Sequence, residues 1–378
     1  MEDNEPYNYI EKLKSHLGDE METLLRERRF AYPRQIELHL PGDNVRACNF
    51  HCGHCSGKNL EKRLGNWEDE GIKMLSVLED RIPWHIYSGI YTEPLLNPKL
   101  MHFIETTKAN FCHYGLHTNG ALLYLREQDE NMLTRLSQIS DGEDYISISL
   151  DAGFSESYKK IKGINSDAFD DVFLGIQLLS EKKERCGLLG PNIRLTYLMG
   201  SENSSPLELE RAIKKAEELD VNSIRFSLPF PPQRTQVYPS EKSEIISKGK
   251  EIDFKRNLEY ALESANPENV EVIYADSQAK TYELMNNFSE CWFPYYQLTI
   301  GADGCFYRCS CSDDKAAGNP RITDINLELE DIKKIIAWSQ EGCFSPQSCL
   351  SQGIMCNRVG LTLNGLCEGI KKKQKAGQ

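Results

Sequence analysis

Ala47-Cys48-Asn49-Phe50-His51-Cys52-Gly53-His54-Cys55-Ser56 sets three cysteines at C-x3-C-x2-C spacing. The preceding stretch, Gln35-Ile36-Glu37-Leu38-His39-Leu40, alternates like a half-buried strand. The cysteines therefore fall in a loop just after a strand. Three thiolates in one loop can hold three irons of a [4Fe-4S] cluster and leave the fourth iron open, since soft thiolate ligands favour iron-sulfur or zinc. Two other readings compete. One is a zinc site completed by a distant fourth ligand, for which this spacing is unusual. The other is a disulfide framework, which a chain of this size without a signal peptide does not suggest.

Composition narrows the choice. The chain has 378 residues, enough for a large core and one or two domains. A hydrophobic content of 40% and a charged content of 27% fit an ordinary soluble globular protein. A formal net charge of -13 argues against a general nucleic-acid surface. The basic run Lys371-Lys372-Lys373-Gln374-Lys375 reads as a solvated tail. The N-terminus, Met1-Glu2-Asp3-Asn4-Glu5, is acidic and lacks an apolar h-region, so no secretory signal is expected. No apolar run reaches the roughly 18 residues of a membrane span, and a cytoplasmic location is expected. The chain has 13 cysteines, which in that setting point to metal or redox chemistry. All but Cys112, read as a core residue, and Cys186, unassigned, fall in two groups at 48–55 and 291–367.

Along the chain, helical and strand patterns alternate. Residues 8–30 read as a helix ended by Pro33, and 68–80 as another. Strands are expected at 35–40, 84–89, 111–118, 144–150, 193–199 and 223–228, with helices at 98–104, 169–179 and 206–219. Six strands alternating with helices predict an α/β fold with a parallel sheet of βα units, whose right-handed crossovers curl it. The proline-rich stretch 229–240 reads as a loop leaving this unit, followed by a helical pattern at 241–264 and a short strand at 270–274.

At the cysteine loop the sequence resembles the radical S-adenosylmethionine (SAM) superfamily, whose signature is C-x3-C-x2-C with an aromatic or His before the third cysteine; His54 stands there. The resemblance implies an open (β/α)6 partial TIM barrel, with Cys48, Cys52 and Cys55 holding a [4Fe-4S] cluster at the SAM site. It continues at the strand ends. Ser88-Gly89 with Thr92-Glu93-Pro94-Leu95-Leu96 is similar to the family's GGEP-L-L element, with the doubled glycine replaced and two residues inserted. It implies Glu93 as ligand of the SAM amino group; read alone, the stretch is a turn and a helix cap. Thr118-Asn119-Gly120 resembles the family's third-strand ending. Ser149 and Asp151 match its S-x-D ending, implied to reach the SAM ribose and carboxylate. Lys159, Lys160 and Lys162 follow. One of them could pair with the SAM carboxylate, although a solvated helix face is the expected place for any single lysine. Active sites of βα barrels lie at the C-terminal ends of the strands, where each of these motifs falls.

The second cysteine group opens with Cys291-Trp292-Phe293-Pro294 and a strand at 296–300. Asp303-Gly304 makes a hairpin turn, and Cys305-Phe306-Tyr307-Arg308-Cys309-Ser310-Cys311 is read as the returning strand and its end. The Cys291–Gly304–Cys309 spacing resembles the opening of SPASM and twitch domains, which implies one or two auxiliary [4Fe-4S] clusters. Cys343, Cys349, Cys356 and Cys367 follow at spacings that depart from the SPASM set. A zinc knuckle is the alternative for this tail. The expected organisation is an N-terminal helical extension (1–34), the partial barrel (35–230), a connecting helical segment (231–285) and a small C-terminal cysteine-rich cluster-binding domain (286–378).

The function implied is reductive cleavage of SAM to a 5′-deoxyadenosyl radical that abstracts hydrogen from an unactivated carbon. The electron would come from a flavodoxin or ferredoxin-type donor. A small polar precursor (a sugar, nucleoside or aminocyclitol) is the expected substrate. The 34 residues before the first strand are expected to be too short for a peptide-recognition domain, and the aromatics Trp292, Phe293, Tyr295 and Tyr296 could wall a closed pocket. A peptide or protein maturase, and a non-catalytic zinc-binding scaffold, are the alternatives.

Overall fold

The computed structural model describes Leu13 and residues 31–43, 46–58, 60–186, 190–228, 248–275, 285–312, 318–341, 349 and 358–376. The helix expected at 8–30 lies outside them except for Leu13, as does the loop at 229–240.

The strands are β1 (Gln35–His39), β2 (Trp84–Ser88), β3 (His113–Thr118), β4 (Tyr145–Ser149), β5 (Asn192–Leu198), β6 (Ser223–Ser227), β7 (Glu271–Tyr274), β8 (Gln297–Ile300) and β9 (Phe306–Tyr307). They form one open sheet in the order β7-β6-β5-β4-β3-β2-β1-β8-β9, parallel throughout except for the β8–β9 hairpin. The six expected strands make its middle. β7 adds a seventh on one side, and β8 pairs in parallel with β1 from Gln35↔Gln297 to Leu38↔Ile300.

Two local readings are corrected, and a third is met over the residues described. Tyr296 closes a helical turn (Phe293–Tyr296) rather than opening the strand, because Pro294 can sit in the first turn of a helix. The returning strand is two residues long, and a 3-10 turn at Ser310–Ser312 follows it. The helix within 241–264 is described over Lys248–Ala265.

Alternation explains the sheet's two faces. Ile36, Leu38, Tyr87, Leu116, Ile146, Ile148, Ile193, Leu195, Ile224 and Phe226 are all completely buried in one core. They pack with helices that include α1 (Glu68–Leu78), α2 (Leu100–Ala109) and α7 (Pro206–Glu218). Each such aliphatic side chain contributes about 1.5–3 kcal/mol on burial. The intervening positions, among them Glu37, Ser88, His117, Ser147, Arg194 and Arg225, face a polar lumen instead. Ser205 starts α7 as its N-cap, its side chain accepting from Glu208 N, with Pro206 as the first helical residue. Among the described residues no helix is long and apolar enough to cross a membrane.

Candidate active site

The cysteine loop leaves β1 and is pinned from two sides. On one side it docks onto the end of α5 (Ser155–Lys162): His51 N donates to Lys162 O (3.0 Å) and Gly53 N to Ile161 O (3.2 Å). The loop thus satisfies carbonyls that a helix C-terminus leaves open. Gly163 makes this possible, with φ +64° and a Cβ that would stand 2.4 Å from His51 O. On the other side Glu93 N donates to Ala47 O (2.9 Å), and Asn119 Nδ2 to Asn49 Oδ1 (2.8 Å).

One cavity of about 810 Å³ gathers the motifs. It is lined by Cys48, Cys52 and Cys55, and by His54, Ser88, Gly89, Thr92, Glu93, Asn119, Ser149 and Asp151. These residues come from the ends of β1, β2, β3 and β4, a convergence that sequence distance alone does not show.

The Glu93 carboxylate is 3% exposed and accepts from Leu95 N, Asn119 N and the Thr118 hydroxyl. Burial raises its pKa against these hydrogen bonds. The turn before it is tight: a Cβ on Gly89 would meet Thr92 Oγ1 at 2.0 Å. That hydroxyl is buried, borders the cavity and has no hydrogen-bond partner among the described residues, so it is an open polar group facing a ligand space. Ser88 Oγ instead donates to Glu37 (2.6 Å).

Asp151 has a left-handed backbone, φ +58°. Its Oδ1 accepts from Leu198 N (2.7 Å), and its Oδ2 lies 3.4 Å from His54 Nε2. Lys162 completes this group and corrects the expectation of a solvated face. Lys159 is a half-buried partner of Asp167 and Lys160 an exposed partner of Glu202, but Lys162 is buried, its Nζ donating to Asp151 Oδ2 (2.6 Å) and Ser149 O (2.8 Å). Tyr158 and Lys162 are the buried residues of α5; their i, i+4 spacing is the signal that could have singled Lys162 out.

The three loop cysteines carry no disulfide. Burial, then the Glu93 charge, pushes the Cys48 thiol up to about 12, and burial raises Cys52 as well. Bare thiols here resist ionisation; a bound cation reverses that balance. This donor set, with the orphaned Thr92 hydroxyl beside it, fits a metal cluster and a polar ligand.

Residues 45–208 match the family described as the Radical SAM superfamily. That stretch is a radical SAM domain. The radical SAM family implies SAM and a [4Fe-4S] cluster as cofactors. A likeness of fold to solved structures extends over nearly the whole chain. The crystal structure of Streptococcus suis SuiB bound to S-adenosylmethionine matches with TM-score 0.59 at 13% identity, covering 94% of this chain and 76% of SuiB. SuiB bound to precursor peptide SuiA gives 0.58 at 13% identity, over 94% and 74%. At this identity the likeness is one of fold. No curated protein sequence matches the chain.

The second cysteine group is divided. Cys291, Cys309 and Cys367 pack with Trp292, Phe293 and Tyr296, and Cys311 reaches the cavity wall. Burial pushes Cys367 up to about 12. Cys305 sits apart, packed on Tyr307, with its backbone N donating to Asp303. Cys349 is described; Cys343 and Cys356 lie outside the described residues. Cys112 is buried among backbone carbonyls, as expected of a core residue.

Proposed function

We propose that Cys48, Cys52 and Cys55 hold the [4Fe-4S] cluster, and that Thr92, Glu93, Asn119, Ser149 and Asp151 hold SAM beside it. The substrate, a small polar molecule of the sugar, nucleoside or aminocyclitol type, lies in the barrel lumen beneath. When bound, cluster and SAM supply a 5′-deoxyadenosyl radical for hydrogen abstraction from an unactivated carbon. The protein's share is placement. Glu93 presents a carboxylate suited to an ammonium group. Lys162 and Asp151 lock the cysteine loop against β4. The walls limit water around the reacting atoms.

The observation that carries this reading is the cavity itself, which runs from the three-cysteine loop through a lumen of serines, Thr196, Glu37 and two arginines to Cys311. A [4Fe-4S] auxiliary cluster on Cys291, Cys309, Cys311 and Cys367 would then border the substrate, a suitable place for an electron acceptor. A single zinc ion does not suit the described cysteines. Its thiolate ligands lie about 2.3 Å from the metal, whereas among the described residues no three cysteine sulfurs lie within 4.8 Å of one another.

A peptide substrate is the second reading, favoured by the fold match to SuiB bound to precursor peptide SuiA. The test is anaerobic reconstitution, followed by reduction with SAM and either candidate nucleotide sugars or short peptides. The proposal expects 5′-deoxyadenosine above background, with a matching mass change in the small molecule, and no turnover by Cys52→Ala. Stimulation by peptides alone would replace the substrate class. Normal turnover by Cys52→Ala would overturn the cluster assignment.

A further inference from the structure

Arg194 of β5 stands in the lumen in an arrangement that the SAM site does not use. Its register neighbours are Ser147 on β4 and Ser223 on β6. Its guanidinium lies 4.3 Å from the centroid of the Tyr145 ring. That ring is itself fixed. Gly115 on β3 leaves room for it, since a Cβ there would stand 2.4 Å from Tyr145 Cζ, and the Tyr145 hydroxyl is 3.0 Å from His117 Nε2. A guanidinium stacked on an aromatic face is held in one plane and keeps its N–H edge for a ligand.

Lys58 and Lys62 reach the cavity from the exposed loop after the cysteines, whereas the charges deeper in it are matched. Lys162 is paired with Asp151. Glu37 accepts from Ser88 and Gln297 and lies 3.1 Å from His39 Nε2. Arg194, among the described residues, has the Tyr145 ring as its partner and no carboxylate. A second guanidinium, Arg225, lines the same wall one strand over, level with Thr196. The chain as a whole carries a net charge of -13, so its general field repels anions and an anion site needs a dedicated local cation.

We propose that Arg194 is the anchor for an anionic group of the substrate, a carboxylate or a phosphate gripped by the guanidinium edge in a charge-assisted, bidentate contact. The assignment rests on the lumen being the substrate site proposed above, and it narrows the substrate to members of that class bearing such a group. The reconstituted full chain with SAM bound is titrated calorimetrically with glucose 1-phosphate, glucuronate and glucose. At least one charged probe binds ten-fold or more tighter than glucose, and which of the two does so identifies phosphate or carboxylate. Arg194→Gln removes the preference, and Arg194→Lys retains part of it. No preference for either charged probe, or a preference that survives Arg194→Gln, overturns the assignment. Iron content and 5′-deoxyadenosine yield of the wild-type preparation are read in parallel. A preparation that cleaves SAM without charge preference sinks only the role of Arg194. One without iron or SAM cleavage sinks the reading beneath it too.

Discussion

Lys162 and Asp151 form a buried ion pair, Nζ to Oδ2 2.6 Å, with side chains 2% and 1% exposed. Through it the end of β4, the end of β5 and the cysteine loop share one electrostatic joint, because Asp151 also accepts from Leu198 N and Lys162 O accepts from His51 N. Removing one member leaves the other charge buried and unpaired, which costs about 3–5 kcal/mol. Lys162→Met is therefore expected to lose stability of that order in urea unfolding. The double variant with Asp151→Asn should recover part of the loss. A single variant within about 1 kcal/mol of wild type would show that water reaches the pair.

Gly163→Ala tests the docking of the cysteine loop. The added methyl group meets His51 O, and φ +64° is a strained conformation for alanine at a cost of about 1–3 kcal/mol. The expected result is lower iron content after reconstitution with secondary structure retained by circular dichroism. Full iron loading would mean the loop docks without this close approach.

Glu37 gives a pH prediction. Burial raises its pKa, but the hydrogen bond and charge of His39, the Ser88 hydroxyl and the His117 charge outweigh this and bring it down to about 2. The folded value lies below the ordinary value of about 4.3. Its contribution of about 3 kcal/mol is thus fully present above pH ~4.3 and lost as pH falls toward 2. Urea unfolding at pH 6 and pH 3 should show a smaller difference for Glu37→Gln than for wild type. An identical difference would assign the acid sensitivity to other groups.

The auxiliary site is tested by iron counting. The Cys48/Cys52/Cys55 triple alanine variant should retain about four irons, one [4Fe-4S] cluster. Adding Cys367→Ala should remove them, while adding Cys305→Ala should not, since Cys305 packs on Tyr307 away from the Trp292 group. Loss of iron with Cys305→Ala would place that cysteine among the ligands.

The sequence by itself determined the strands, the cysteine loop and the strand-end positions of Glu93, Asn119 and Asp151. Those features rest on local periodicity and short spacings, which a chain displays before it folds. It could not rank Lys162 above Lys159 and Lys160: all three share one helix, and only packing against β4 buries one of them. Nor could it show that β8 would pair with β1 some 260 residues away, extending the sheet beyond six strands. The lumen was equally hidden, because Gly115, Tyr145 and Arg194 lie on three different strands and meet only when those strands pair in register. Periodicity says which face of a strand is apolar. Which polar residues converge on the other face is decided by register and curvature, and those are set by the whole sheet.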